Sequence, residues 1–203
     1  MSKIIIASHD ETVDLLDNNE YNEKVTAIVS ISDHSKASPS VVRRCQEKKD
    51  KVVLTLHFDD MEREMLDNPR CSGWEPPQMK HIQAIISRSK EILNSGGWIL
   101  CHCQAGISRS AAAAFILKCI ELGPGKEEEA LGILVKSRDY ISPNKWMVEM
   151  AQEILGDEWD LIDALKNIQY IRLVVKKMGN PVVESVDSML KNIQMCQLLG
   201  GGK

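Results

Sequence analysis

The chain has 203 residues, 43% of them hydrophobic, enough to bury one sizeable core with an extension but crowded for two full domains. A formal charge of -4 and a pI near 5.8 exclude a general attraction to nucleic acid or anionic lipid, so no nucleic-acid partner is expected, although a local basic pocket for phosphate remains open. The six cysteines, in a chain with neither a secretory signal nor an apolar stretch near the roughly 20 residues of a membrane span, read as free thiols in a reducing, cytoplasmic setting.

Met1 to Ile6 carries one basic residue and an apolar run too short for a signal sequence, and gives way to Ser8-His9-Asp10. Thr26 to Ser32 and Lys51 to Phe58 are short, rich in β-branched residues and bounded by polar turns, which predicts two strands. Asp33-His34-Ser35 closes the first of them as a polar turn, with the mouth of a pocket as its alternative place, and Ser35 to Arg44 reads as a loop leading into a short helix. A polar, irregular stretch runs from Asp60 past Pro69 and Gly73. Pro76-Pro77 then opens a helix with Ile82, Ile85, Ile86 and Leu93 on one face, ended by Gly96-Gly97. Trp98 to Cys101 is continuously apolar, the pattern of a strand buried on both faces.

Ser110 to Leu122 is an Ala- and Ile-rich helix that stops at Gly123-Pro124-Gly125, and Lys126 to Ser137 is a second. Ser142 is the predicted N-cap of a third, with Pro143 at its first position. Leu161 to Met178 and Pro181 to Leu199 are further helical patterns in the tail. This order of strands and helices indicates an α/β layer built on a central sheet.

The chemistry concentrates in His102-Cys103-Gln104-Ala105-Gly106-Ile107-Ser108-Arg109-Ser110, lodged between the buried strand and the helix after it. A phosphate ester needs such a frame. The backbone N–H groups of Gln104 to Ser108 and the positive end of a helix meet its oxygens, and Gly106 permits close approach. Arg109 supplies a planar guanidinium that grips two oxygens at once. A helix N-terminus beside a cation also favours a thiolate over a thiol, which makes Cys103 the candidate nucleophile, and the hydroxyl of Ser110 is placed to stabilise the sulfur when it leaves.

These nine residues match in full the signature His-Cys-x2-Gly-x-Ser/Thr-Arg-Ser/Thr, and the chain resembles the dual-specificity branch of the cysteine-dependent protein tyrosine phosphatases. The likeness continues through Arg138, Ile141-Ser142-Pro143-Asn144 and Trp146, so that it covers roughly Ala27 to Leu155. It implies a phosphatase-like catalytic domain over 1–156, with a central mixed, mostly parallel sheet flanked by helices. A helical C-terminal extension of no assigned role occupies 157–203. It also implies that Asp60, the second aspartate of Phe58-Asp59-Asp60, protonates the leaving oxygen, with Asp59 as runner-up and Asp67 in the same segment. The acid stands further from the nucleophile than in compact members, and Glu62 to Trp74 reads as a lid or insertion. His102 and Asn144 take supporting roles.

No cofactor is expected, and no metal, because Cys101 and Cys103 have no second Cys/His pair at ligand spacing. The implied partner is a phosphorylated protein, dephosphorylated at phosphotyrosine and also at phosphoserine or phosphothreonine. Two alternatives stand beside it. A phosphatase of phosphoinositides or RNA 5′ ends is disfavoured by a loop without a cation between Cys103 and Arg109. A phosphoprotein-binding module without turnover is disfavoured by the intact Cys103, Arg109 and Ser110.

Overall fold

The structure, a computed structural model, describes residues 1–138 and 140–172. Its centre is a sheet of four strands, β1 (Ile4–Ala7), β2 (Val25–Ser32), β3 (Val52–His57) and β4 (Trp98–His102), in the order β1-β4-β2-β3. All the pairings are parallel, so the sheet is more uniform than the mixed one the resemblance implies. The reason lies in the connections: helical segments intervene between successive strands, and parallel strands need such crossovers. β4 lies between β1 and β2, which explains its continuous apolar run.

Helices cover both faces. On one side pack α1 (His9–Asp17), α2 (Asn19–Lys24) and α3 (Ser40–Lys48), around Leu15, Leu16, Tyr21, Val41, Val42 and Cys45. On the other pack α4 (Met79–Ser87), α5 (Ser89–Leu93), α6 (Arg109–Leu122), α7 (Glu127–Ser137), α8 (Lys145–Leu155) and α9 (Leu161–Lys166). β1 divides its side chains by the period of two: Ile4 and Ile6 enter the larger core, Ile5 and Ala7 the smaller. α6 is buried from Arg109 to Cys119, and the small side chains of Ala111 to Ala114 let sheet and neighbouring helices close around it.

Three local expectations change. β1, α1 and α2 occupy a stretch for which the sequence pattern predicts no element. The helix after Pro76-Pro77 is two helices, broken at Arg88, whose Nη1 donates to the carbonyl of Val53 at 2.9 Å. The third predicted helix begins at Lys145 and is capped by Asn144, not Ser142: Asn144 Oδ1 accepts the N–H of Met147 at 3.0 Å, while Ser142 lies before the helix with its N–H on the carbonyl of Ile107 at 2.9 Å. Beyond Gly156, Trp159, Leu161, Ala164 and Ile171 join the larger core. The pattern from Pro181 to Leu199 lies outside the described residues. Among the described residues no helix is long and apolar enough to cross a membrane.

Candidate active site

Parallel strands end together, and the residues just past those ends are brought to one edge of the sheet. The register aligns Ala7 with His102, His102 with Ser30, and Ser32 with His57. Ser8, Asp33, Phe58-Asp59-Asp60 and Cys103 therefore emerge side by side at the carboxyl ends, where open α/β sheets bind their ligands.

The loop after β4 is anchored by backbone. The N–H of Cys103 donates to the carbonyl of Ala7 at 3.3 Å, and the N–H of His9 donates to the carbonyl of Gln104 at 3.1 Å. Gly106 has φ +70°, and a Cβ there would stand 2.5 Å from the backbone nitrogen of Ser8, so the close passage of β1 requires glycine. Two groups converge on the sulfur: the N–H of Gly106 donates to Sγ at 3.3 Å, and the hydroxyl of Ser110 shares a 3.2 Å hydrogen bond with it. Among the described residues no acceptor meets the N–H groups of Gln104, Ala105, Ile107 or Ser108. Those groups are available to an anion above the sulfur.

Arg109 is buried beneath this loop, with its Nη1 on the carbonyl of Phe58 at 2.6 Å and its Nη2 on Asp33 Oδ1 at 2.8 Å. Its Nε has no hydrogen-bond partner; Asp60 Oδ2 stands 3.8 Å away. The buried Nε–H is thus unspent, ready for a phosphate oxygen. Burial pushes the Asp33 carboxyl up, but the hydrogen bonds from Lys36 and Arg109 outweigh it and hold the group below the usual carboxylate range. Asp33 stays charged, and the guanidinium stays in place.

The aspartates after β3 separate clearly. Asp60 Oδ1 accepts from Ser108 Oγ at 2.7 Å and from Asn144 Nδ2 at 3.0 Å, which sets it against the loop with its side chain partly open to solvent. Asp59 is buried and turned away: its Oδ2 lies 2.5 Å from His34 Nδ1 and accepts the N–H of Glu75 at 2.7 Å. Asp67 is exposed and makes no hydrogen bond or ion pair among the described residues.

The supporting residues also have defined partners. His102 Nε2 shares a 2.8 Å hydrogen bond with Ser30 Oγ, which donates onward to Ser38 Oγ at 3.1 Å. Burial is the largest influence on this imidazole and pulls its pKa down to about 4, with the backbone of Cys103 acting the other way. Asn144 donates its side-chain amide to Asp60 Oδ1 and to the carbonyl of Met61, both at 3.0 Å, and its backbone N–H to the carbonyl of Ser108 at 3.3 Å. Cys101, two residues before Cys103, is wholly buried, and burial pushes its thiol up. Among the described residues no group of three or more His, Cys, Asp or Glu side chains is placed to hold a metal ion. Trp146 packs under the guanidinium of Arg63 at 5.5 Å, while Trp74 is exposed.

Two residues carry more of the site than their sequence context suggests. Asp33 has the sequence pattern of a polar turn, and its place just past a strand end is the available signal. Glu62, whose carboxylate accepts the N–H groups of Lys145 and Trp146, gives no local signal at all.

The layered fold is shared with solved structures of phosphatases, and the loop at its carboxyl edge carries the signature that resembles the cysteine-dependent phosphatases. In sequence the chain is similar to dual specificity protein phosphatase 2 of Mus musculus, with 41% identity over 63 residues, a match that covers 31% of this chain and only 20% of that protein's length. In structure it is similar to human DUSP28, with a TM-score of 0.53 at 15% identity over 80% of this chain and 93% of that one. It is also similar to DUSP15, with a TM-score of 0.53 at 19% identity over 89% and 96%. No protein-family model matches. The resemblance to the dual-specificity branch is therefore one of fold as well as of signature loop.

Proposed function

We propose that the chain hydrolyses phosphate monoesters on protein side chains, at phosphotyrosine and also at phosphoserine or phosphothreonine, through a cysteinyl-phosphate intermediate. The observation that carries this reading is the convergence on one atom: Gly106 donates to Cys103 Sγ and Ser110 shares a hydrogen bond with it, within a loop whose N–H groups at Gln104, Ala105, Ile107 and Ser108, like Arg109 Nε, meet no acceptor among the described residues. The sulfur, as thiolate, attacks phosphorus; the bond from phosphorus to the leaving oxygen breaks, and that oxygen takes the proton of Asp60. Charge on the phosphoryl oxygens meets the loop amides and the guanidinium. In the second step water attacks phosphorus and gives its proton to the Asp60 carboxylate. The sulfur–phosphorus bond then breaks, with the thiolate stabilised by Ser110 and Gly106, and inorganic phosphate departs.

An interior of Gln104, Ala105, Gly106, Ile107 and Ser108 adds no cation for a second phosphate, which favours singly phosphorylated protein side chains. The five cysteines among the described residues are all unbridged. The test is Cys103→Ser. Turnover of p-nitrophenyl phosphate is expected to fall by roughly a thousandfold or more, and normal turnover by this variant would remove the mechanism.

A further inference from the structure

The acid-bearing segment and the phosphate loop share one fixture, the N-terminal end of α8. The cap residue Asn144 binds both, donating through its side chain to Asp60 and Met61 and through its backbone to Ser108. Glu62 engages the same end from the acid's side: Oε1 accepts the N–H of Lys145 at 2.8 Å and Oε2 the N–H of Trp146 at 2.9 Å. The first N–H groups of a helix have no acceptor within it, and the helix dipole is positive there, so a carboxylate is the matching partner. The surrounding pairs, Arg63 with Glu149 at 3.7 Å and Lys145 with Glu64 at 3.7 Å, are exposed and contribute little. Half-buried Glu62 and the cap residue Asn144 are the two attachments of this stretch to the start of α8, and Glu62 is the one that reaches from the segment itself.

That attachment is costly to keep charged. Burial pushes the Glu62 carboxyl up, the two helix N–H groups oppose it, and Asp60 and Glu64 add to the push. A residue that fixes position at such a cost differs from one that merely fills space.

We infer that Glu62 is a positioning residue for the reaction proposed above. It clasps the segment two residues beyond Asp60 to the helix end that also holds Ser108, and so fixes the acid's distance from the loop. Among the described residues the Glu62 carboxylate makes no hydrogen bond to the loop or to Asp60. The inference rests on the reading of the chain as a phosphatase with Asp60 as acid.

The test compares Glu62→Ala and Glu62→Gln in the full chain on aryl phosphates graded from dinitrophenyl to phenyl phosphate. A dinitrophenolate leaves without a proton; a phenolate needs one. Glu62→Ala is expected to lower kcat/KM, which covers the steps up to departure of the leaving group, by roughly tenfold on phenyl phosphate and by less than about twofold on dinitrophenyl phosphate. Glu62→Gln, whose amide oxygen still accepts a helix N–H, is expected to recover most of that loss. The ratio between the two substrates is taken within one protein, so a smaller folded fraction cancels from it. Equal loss on both substrates, or no loss on phenyl phosphate, overturns the inference alone. A wild-type chain that turns over none of the series overturns the phosphatase reading, and the clasp with it.

Discussion

The phosphate loop and the segment facing it, Phe58 to Glu75, are both irregular backbone at the carboxyl edge of one sheet, yet they are fixed by different means. The loop is strung between β4 and α6, both buried, and the bonds at its sulfur are short in sequence: Gly106 to Cys103, Ser110 to Cys103. Its long-range supports are mostly backbone: β1 pressed against Gly106, the N–H groups of Ser142 and Asn144 on the carbonyls of Ile107 and Ser108, and beside them the Ser108 hydroxyl on Asp60. The facing segment is tethered by polar groups from across the fold: Arg109 on Phe58, His34 on Asp59, Asn144 on Asp60 and Met61, Glu62 on α8. On the proposed reading, the dipoles that meet a phosphate are built from backbone, and the group that exchanges a proton hangs on side chains. Each tether is therefore removable alone, whereas the loop responds as a unit.

The substitution with the largest expected effect is the one that touches both regions. Arg109 ends the loop, and its Nη1 holds the carbonyl of Phe58. Arg109→Lys keeps a charge but loses the fork, and kcat/KM on p-nitrophenyl phosphate is expected to fall roughly a thousandfold. A loss below about tenfold would assign phosphate binding to the loop amides alone and break the comparison.

The loop's support has a pH signature of its own. His102 binds a proton only near pH 4 in the folded chain but near 6.5 when unfolded. Its contribution to stability is thus fully present above about pH 6.5, declines as pH falls through that window, and is lost below about pH 4. The loss is about 3 kcal/mol, to be read from urea unfolding at neutral and mildly acid pH. His102→Gln should flatten that slope. An unchanged slope would move the acid sensitivity to the tethered segment.

The same contrast explains what is readable in the sequence. The loop is legible because its parts are contiguous, and the buried strand and the Ala-rich helix around it announce themselves by composition. β1 is not, because four apolar residues become a strand only when β4 lies beside them. Asp33 and Glu62 are opaque for a related reason: their partners stand 76 and 83 residues away in Arg109 and Lys145. Ser142 has the pattern of a cap, but the helix begins only at Lys145, where Asn144 supplies the capping oxygen. The choice between Asp59 and Asp60 lies between neighbours, and adjacent side chains on extended backbone point to opposite sides.

That choice yields the smallest and sharpest of the expected effects. Asp60→Asn removes the proposed proton donor but keeps an oxygen for Ser108 and Asn144, so kcat/KM on phenyl phosphate, which covers the steps up to departure of the leaving group, should fall roughly a hundredfold while kcat/KM on dinitrophenyl phosphate is nearly spared. Asp59→Asn leaves an oxygen for the N–H of Glu75 and weakens the bond to His34. Its cost should appear as about 1 kcal/mol of stability in thermal unfolding, with activity reduced less than about tenfold and equally on both substrates. The two variants differ by one position in the chain and by which way the carboxyl faces. A leaving-group-dependent loss in Asp59→Asn, with Asp60→Asn uniform, would exchange their roles. The His34 bond would then be the one that holds the acid, and the α8 end would hold only the fold.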